Sequence, residues 1–241
     1  SLVDNNFGEL LGQIYVEKYF PESSKNKILD IVNNLKKELK DRILNLDWMS
    51  DKTKKKALKK YCVFKSKIGY PDKWRDFSKI NFTNNDSLIE MILKINCFDF
   101  DYEMKRLFKP TDLSRWEMNP QTINAYFHPL KNEIVFPAGI LQKPFFDPNA
   151  DDAINYGGIG TIIGHEMTHS FDDKGSKFDH NGNLNNWWTK QDRDKFDNKA
   201  KYFIKEYDKL KVNSKNVNGK LTLGENLADH GGVKIAFYAL Q

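Results

Sequence analysis

The chain has 241 residues, 39% of them apolar, which is enough to build a hydrophobic core and excludes an intrinsically disordered chain. Its net charge of +5 comes from 38 basic and 33 acidic residues, a mixed pattern that favours solubility over a dedicated polyanion-binding surface. Two cysteines are too few for a disulfide framework.

The first 109 residues are predicted to be mostly helical, because apolar residues recur there at helical intervals. Ser23 or Ser24 can cap the second of these helices, and Gly69 can end the third one before the turn Tyr70-Pro71-Asp72. No cluster of reactive side chains occurs in this region, so its predicted role is packing. The four predicted helices cover residues 7–19, a stretch that includes 28–43, residues 51–69 and residues 88–108.

A basic run in the third predicted helix raises the alternative of a polyanion-binding helical module. On a helix most of these lysines face solvent, whereas the apolar residues between them face inward. A solvated helix face is therefore the favoured interpretation, and no nucleic-acid partner is predicted. The lysines of this run are Lys52, Lys54, Lys55, Lys56, Lys59 and Lys60.

After Pro110 the pattern changes. Residues 122–127 and 133–136 are predicted to form two short strands, joined by a hairpin loop over residues 128–132. An edge strand of this kind can bind an extended peptide through main-chain hydrogen bonds. Taken by itself, the pattern favours an ordinary turn or strand role for Asn124.

The central motif is His165-Glu166-Met167-Thr168-His169, which continues the apolar run of residues 156–163 in a predicted buried helix. Residues four apart share a helix face, so His165 and His169 can direct two imidazole nitrogens at one zinc ion. Glu166 then lies beside the metal as a candidate general base, the interpretation given to this motif in metalloproteases. By itself the motif could also be a chance match on a core helix.

A catalytic zinc needs three protein ligands and one open position, so a third ligand is required. A downstream apolar segment offers Glu225 and Asp229, which are again four residues apart. We predict that Glu225 is the third ligand of one zinc ion per chain. Asp229 is predicted to accept the distal N–H of His165 and thereby to set its tautomer. A structural zinc is disfavoured, because Cys62 and Cys97 form no C-x-x-C pair.

Two further acidic residues, Asp172 and Asp173, follow the second histidine. They either orient His169 or simply end the helix. Trp187-Trp188 then begins a long helix that is predicted to run to about residue 210.

Several of these segments together resemble the neprilysin family of zinc endopeptidases, which includes neprilysin, the endothelin-converting enzymes and bacterial oligopeptidase O. The similarity extends over nearly the whole chain, and its central motifs are highly specific. The matching segments are residues 53–55, 68–72, 124–127, 132–142, 155–160, 165–173 and 224–229.

The resemblance implies a mainly α fold (α+β), with a helical lobe and a thermolysin-like zinc-peptidase catalytic lobe that contains a small antiparallel sheet. Residues 1–109 would belong to the covering lobe and to helices packed on the catalytic lobe, and residues 110–241 to the catalytic region. The implied activity is hydrolysis of oligopeptides by zinc-activated water, with Glu166 and Asp229 as catalytic residues.

Substrate contacts are also implied by the resemblance. Asn124 would hold the substrate backbone through its side chain, and Ala125 through its carbonyl. Ile140, Phe145 and Ile162 are candidates for the apolar pocket that takes the residue after the scissile bond. Core packing explains these three residues equally well.

Family members carry a histidine that stabilises the transition state and an arginine that holds substrate, both well beyond the glutamate ligand. This chain ends at Gln241, so we expect an internal or truncated piece of such a peptidase. A zinc-binding piece without catalytic turnover is the resulting alternative.

The sequence carries few signals for the cellular compartment or the oligomeric state. No signal peptide is recognised, and no apolar run reaches the length of a transmembrane span. The low cysteine content favours an intracellular or bacterial setting, because secreted animal relatives are disulfide-bonded. The oligomeric state is not predicted.

Overall fold

The computed structural model describes residues 1–241, and the predicted mainly α fold is confirmed. A π-helical segment, Tyr156–Gly160, leads directly into α6, and a single 3₁₀ turn, Gly175–Lys177, follows it. The α-helices and strands are α1 (Leu2–Tyr19), α2 (Glu22–Asn45), α3 (Asp51–Cys62), β1 (Lys65–Gly69), α4 (Leu88–Met104), β2 (Tyr126–His128), β3 (Glu133–Pro137), α5 (Asp152–Asn155), α6 (Thr161–His169), α7 (Lys190–Asp208), β4 (Lys211–Val212), β5 (Lys215–Asn216) and α8 (Leu223–Leu240).

Helix α2 begins earlier than predicted. Pro21 precedes its first residue, and Ser24 lies buried inside the helix instead of capping it. Proline suits this position because its fixed φ is compatible with a helix start, where its missing N–H has no partner to lose. The buried side of α2 follows the predicted helical spacing, with Ile28, Ile31, Val32, Leu35, Leu39 and Ile43.

The prediction of one helix over residues 51–69 is wrong in its second half. Helix α3 ends at Cys62, and β1 follows as a strand paired in parallel with β3. The backbone groups of β1 are satisfied by a partner more than sixty residues away in the sequence, which local periodicity does not reveal. Helix α7 likewise begins at Lys190, after the tryptophan pair, because Thr189 caps its first turn.

The predicted hairpin is present, although its first strand covers Tyr126–His128 instead of residues 122–127, and it forms most of a three-stranded sheet with the order β1-β3-β2. Strands β2 and β3 are antiparallel, whereas β1 and β3 are parallel, so the sheet is mixed instead of purely antiparallel. Every residue of β3 is buried, and β2 is an edge strand. Asn132 sits in the turn with a φ of 49°, a conformation that asparagine tolerates better than most residues.

Helices and strands from residues 1–109 and from residues 110–241 share one apolar core. Helix α2 packs against α6 and α8, and β1 lies beside β3. Segments that precede residue 110 therefore contact the metal-site helices directly, while the division at residue 109 stays a prediction. No helix in this fold is both long enough and apolar enough to span a membrane. Cys62 and Cys97 are exposed and form no disulfide.

The basic run of α3 is exposed at Lys52, Lys55, Lys56 and Lys59, as a solvated helix face requires. Lys60 is the exception, with 1% of its surface exposed. The buried face of α3 consists of Thr53, Ala57 and Lys60, a helical spacing with polar residues at both ends.

Asp192 joins α3 to α7. Its carboxylate is fully buried and accepts hydrogen bonds from Ser50, Thr53 and Thr189 side chains and from the Ser50 amide. Burial disfavours the charge, but these hydrogen bonds outweigh it and hold the pKa of Asp192 well below its usual range. One carboxylate thus ties together the N-terminal ends of two helices.

Replacing Asp192 by alanine should lower the free energy of unfolding by about 2–3 kcal/mol at pH 7, because four donors lose a charged acceptor. A depressed folded-state pKa stabilises the protein above the unfolded-state value of about 3.9, and that contribution is lost as the pH falls further. The difference between wild type and Asp192→Ala in urea unfolding should therefore shrink below about pH 4. Asp194→Ala, on the exposed side of α7, is the control; an equal loss there would contradict the assignment.

Candidate metal centre

Helix α6 is fixed in place by its apolar face. Ile159, Ile163 and Met167 recur every four residues along the π-helical segment and α6, and all three are fully buried. His165 and His169 lie on the opposite face and are partly exposed. The helix therefore presents both imidazoles to a cleft while its opposite side is held in the core.

Helix α8 crosses α6 at backbone distance because glycines occupy the crossing point. A Cβ on Gly164 would lie 2.9 Å from the Cα of Gly232, and one on Gly232 would lie 2.5 Å from the carbonyl oxygen of Thr161. Only residues without a Cβ permit this approach. The close crossing brings the first two turns of α8, with Glu225 and Asp229, against His165.

Three donor atoms converge in the cleft. The Nε2 atoms of His165 and His169 lie 3.0 Å apart, and Glu225 Oε2 lies 3.3 Å from the first and 3.4 Å from the second. Two donors that each lie 2.0–2.1 Å from one tetrahedral ion are expected to be about 3.3 Å apart. The observed spacing and the N₂O donor set therefore fit a single zinc ion.

Both imidazoles are oriented by a carboxylate on their far side. His165 Nδ1 lies 2.8 Å from Asp229 Oδ1, and His169 Nδ1 lies 2.7 Å from Asp172 Oδ2. An ionised carboxylate only accepts hydrogen bonds, so each Nδ1 must carry the proton. In the neutral rings the two Nε2 lone pairs then face each other, an arrangement that a shared cation stabilises.

Glu166 is placed next to the histidines but is not part of the donor cluster. It is 8% exposed, and burial raises the pKa of its carboxyl group although both neighbouring histidines oppose the shift. Burial also disfavours the charged form of His169, but Asp172 outweighs it and raises the pKa of that imidazole.

The cleft around these residues has a volume of about 490 Å³. Its lining includes the segment from Asn124 to Phe127, which runs into the edge strand β2, and also Gly224 and Glu225. The Oδ1 of Asn124 accepts a hydrogen bond from the amide of Ala125. An open strand edge therefore lies beside the converging donors.

Comparison with known proteins identifies the family. The sequence model of peptidase family M13 matches residues 124–241. A second M13 model, for the N-terminal part of the family's members, matches residues 1–71. The chain belongs to peptidase family M13. The predicted resemblance to neprilysin and the endothelin-converting enzymes is thereby confirmed.

Individual M13 relatives cover the whole chain. Neprilysin-3 of Drosophila melanogaster is 38% identical over 248 residues, which include 100% of this chain and 31% of that protein. The zinc metalloprotease ZMP1 of Mycobacterium tuberculosis, solved with an inhibitor, aligns with a TM-score of 0.88 and 44% identity over 99% of this chain and 37% of its own. PepO of Lactobacillus rhamnosis aligns with a TM-score of 0.91 and 35% identity over 99% of this chain and 38% of its own. The chain thus spans about a third of the length of the curated relatives it matches.

The three predicted pocket residues of this M13 chain do not line the cleft. Ile140 is buried in the core, and Phe145 and Ile162 are half-buried and packed against it. The carbonyl of Phe145 accepts the amide of Ile159, so this residue helps to fix the π-helical segment. Their role in substrate binding stays a prediction, as do the roles of Asn124 and Ala125.

Sequence reasoning left the role of Asp172 open and assigned no site role to Lys60. In the structure, the Asp172 carboxylate contacts the imidazole of His169. The ammonium group of Lys60 donates hydrogen bonds to carbonyl groups of the loop that carries Asp172. His169 and Asp172 are three residues apart at a helix end, a spacing from which their contact could have been predicted. Nothing in the lysine run distinguishes Lys60 except its helical phase with Thr53 and Ala57.

The α6–α8 crossing of this M13 chain gives a testable prediction. Gly232→Ala should destabilise the fold by about 1–3 kcal/mol, because the added Cβ meets backbone atoms that cannot yield. It should also weaken zinc binding, since α8 must move away from α6 and carries Glu225 with it. Chemical unfolding and zinc titration measure the two effects.

Gly157→Ala is the matched control for that substitution, because a Cβ at Gly157 meets nothing within 4 Å. If Gly232→Ala were as stable and bound zinc as well as Gly157→Ala, backbone contact between the helices would not be what holds Glu225 in place.

Proposed function

We propose that this chain is the zinc-binding part of an M13 metalloendopeptidase that hydrolyses oligopeptides. One observation carries the proposal: His165, His169 and Glu225 bring two nitrogens and one oxygen within 3.4 Å of one another, with both imidazoles oriented from behind by carboxylates. The donor set leaves a fourth position for water, as catalytic zinc sites require. The family match and the similarity to ZMP1, a zinc metalloprotease, support the same chemistry.

Each residue then has a defined part. His165 and His169 would bind the ion through Nε2, and Glu225 through a carboxylate oxygen. When bound, zinc acidifies a water molecule and polarises the scissile carbonyl. The Glu166 carboxylate accepts the proton of the attacking water and delivers it to the departing amine nitrogen. Because burial raises the pKa of Glu166, this residue is a stronger base than an exposed glutamate and can hold the proton between the two transfers.

The substrate would lie along the edge of the small sheet. Strand β2 has one unpaired edge, and the residues just before it, Asn124 and Ala125, form a wall of the same cleft. An extended peptide can pair with such an edge through its main chain, with its scissile bond near the donor cluster. This arrangement suits oligopeptides, since recognition through the backbone is independent of side-chain identity.

The proposal is tested with the 241-residue chain, one equivalent of zinc and a quenched fluorescent peptide. We expect one tightly bound zinc per chain and peptide cleavage that a chelator abolishes. Zinc binding without cleavage would limit the function to metal binding, and the absence of zinc binding would overturn the proposal.

Glu225→Ala should weaken zinc binding by more than the roughly 10–100-fold that is typical for the loss of a residue behind a ligand, because a direct donor is removed. Competition with a chromophoric chelator measures the affinity. Glu17→Ala, at an exposed position of α1 without an ion pair, is the control. Full zinc affinity in Glu225→Ala would refute the ligand assignment.

Glu166→Gln should retain zinc with unchanged affinity and lose at least about 100-fold in turnover, because the amide keeps the shape of the side chain but cannot accept the proton. Metal content and cleavage rate are measured on the same preparation. A Glu166→Gln variant that cleaved the peptide at the wild-type rate would exclude this residue as the base.

A further inference from the structure

The least expected charge in the fold is the ammonium group of Lys60, near the end of α3. Its Nζ donates hydrogen bonds to the carbonyl oxygens of Ser170, Gly175 and Phe178, each at 2.8 Å. Three acceptors match the three N–H bonds of an ammonium group, so the buried cation is fully hydrogen-bonded. Two aromatic rings add cation–π attraction, with centroids 5.9 and 5.6 Å from Nζ: those of Phe127 and Phe171.

Burial and hydrogen bonding act in opposite directions on the charge of this side chain. Burial lowers the pKa of Lys60 to about 7, and the carboxylates of Asp172 and Asp179 oppose that shift. A neutral amine has only two N–H bonds and would leave one of the three carbonyl oxygens without a donor. The three short contacts therefore favour the ammonium form and oppose the effect of burial.

The carbonyl groups that Lys60 holds belong to the loop that carries Asp172. Gly175 accepts from Lys60 through its carbonyl and donates its own N–H to Asp172 Oδ1 at 2.6 Å. The other oxygen of Asp172 contacts His169 Nδ1 at 2.7 Å. A continuous series of contacts therefore runs from Lys60 through Gly175 and Asp172 to the imidazole of His169.

A second residue ties the same lysine to the same loop. Asn132 donates to the carbonyl of Lys60 at 2.9 Å and accepts from the hydroxyl of Ser170 at 3.1 Å. Residues 170–177 contain a single apolar side chain, Phe171, so hydrophobic packing alone cannot define their path. Buried polar contacts must hold this loop in one conformation.

We propose that Lys60 is a positioning residue of the metal centre: it holds the loop through Gly175 and so keeps Asp172 on the Nδ1 of His169. Lys60 does not line the cleft and touches none of the donor atoms. Because metal affinity is one of its readouts, the proposal rests in part on the proposed function.

A double-mutant cycle with two partners tests this route. Lys60→Met, which keeps the length of the side chain, is combined in turn with Asp172→Asn and with Asp229→Asn. Asp229 orients His165 and has no contact with the Lys60 loop, so it serves as the matched reference. The zinc dissociation constant of each 241-residue variant is measured by chelator competition, with Lys59→Met, on the exposed side of α3, as the charge control.

Lys60→Met should weaken zinc binding by about 10-fold, near the lower end of the range for residues behind a ligand. Combined with Asp172→Asn, it should cause no further loss, because both changes break the same series of contacts. Combined with Asp229→Asn, the two losses should multiply. If the loss of zinc affinity in Lys60→Met multiplied with that of both aspartate substitutions, the proposal would be overturned, because a general loss of stability does not distinguish the two aspartates. Unchanged zinc affinity in Lys60→Met would also overturn it.

A metal-free readout separates this proposal from the proposed function. In the ¹H–¹⁵N spectrum of the chain labelled in its histidine rings, the Nδ1–H signal of His169 should be lost to solvent exchange in Lys60→Met, whereas that of His165 persists. An unchanged His169 signal would refute the role of Lys60 even if the wild-type chain bound no zinc. If Lys60→Met does not fold, Lys60→Gln, which keeps two N–H donors, replaces it in both experiments and should show the same pattern with a smaller effect.

Discussion

The close crossing of α6 and α8 is the constraint on which the site depends. The two histidines lie on one helix and the glutamate on the other, and a carboxylate side chain is short. The ligands can meet only if the helix backbones touch, and Gly164 and Gly232 make that contact possible. The apolar faces of both helices then stabilise the crossing from the core side, with Ile163 and Met167 on α6 and Ile235 on α8 fully or almost fully buried.

Polar contacts complete what the apolar core leaves undefined. Helix α3 has a narrow buried face, and its two ends are held by opposite charges: Asp192 accepts at its start, and Lys60 donates near its end. A buried charge is unfavourable unless it is fully hydrogen-bonded, and both of these are. Because hydrogen bonds are directional, these contacts specify which conformation of the loop packs against α3. An apolar side chain of equal size would not distinguish that conformation from neighbouring ones.

The metal-site motifs were predictable because the chemistry they need has a local spacing. His165 and His169 are one helical turn apart, and the same holds for Glu225 and Asp229, so sequence alone places each pair on one face. That the two faces meet is a tertiary fact, and the structure shows them meeting with 3.3 Å between His165 and Glu225. The helical character of residues 7–19 and 28–43 and the hairpin were predictable for the same reason: their periodicity is internal to each segment.

Other features depend on partners that are distant in the sequence. The local pattern predicts a helix where β1 forms, because the pairing partner β3 begins only at Glu133. It also predicts a solvated Lys60, because the acceptors of this lysine lie at residues 170–178. By itself, the sequence determined most of the helices, the family and the candidate ligands, since short-range spacing encodes each of them. Only the tertiary structure decided the mixed sheet, the glycine crossing and the buried lysine, because these arise from contacts whose two sides never occur in one local pattern.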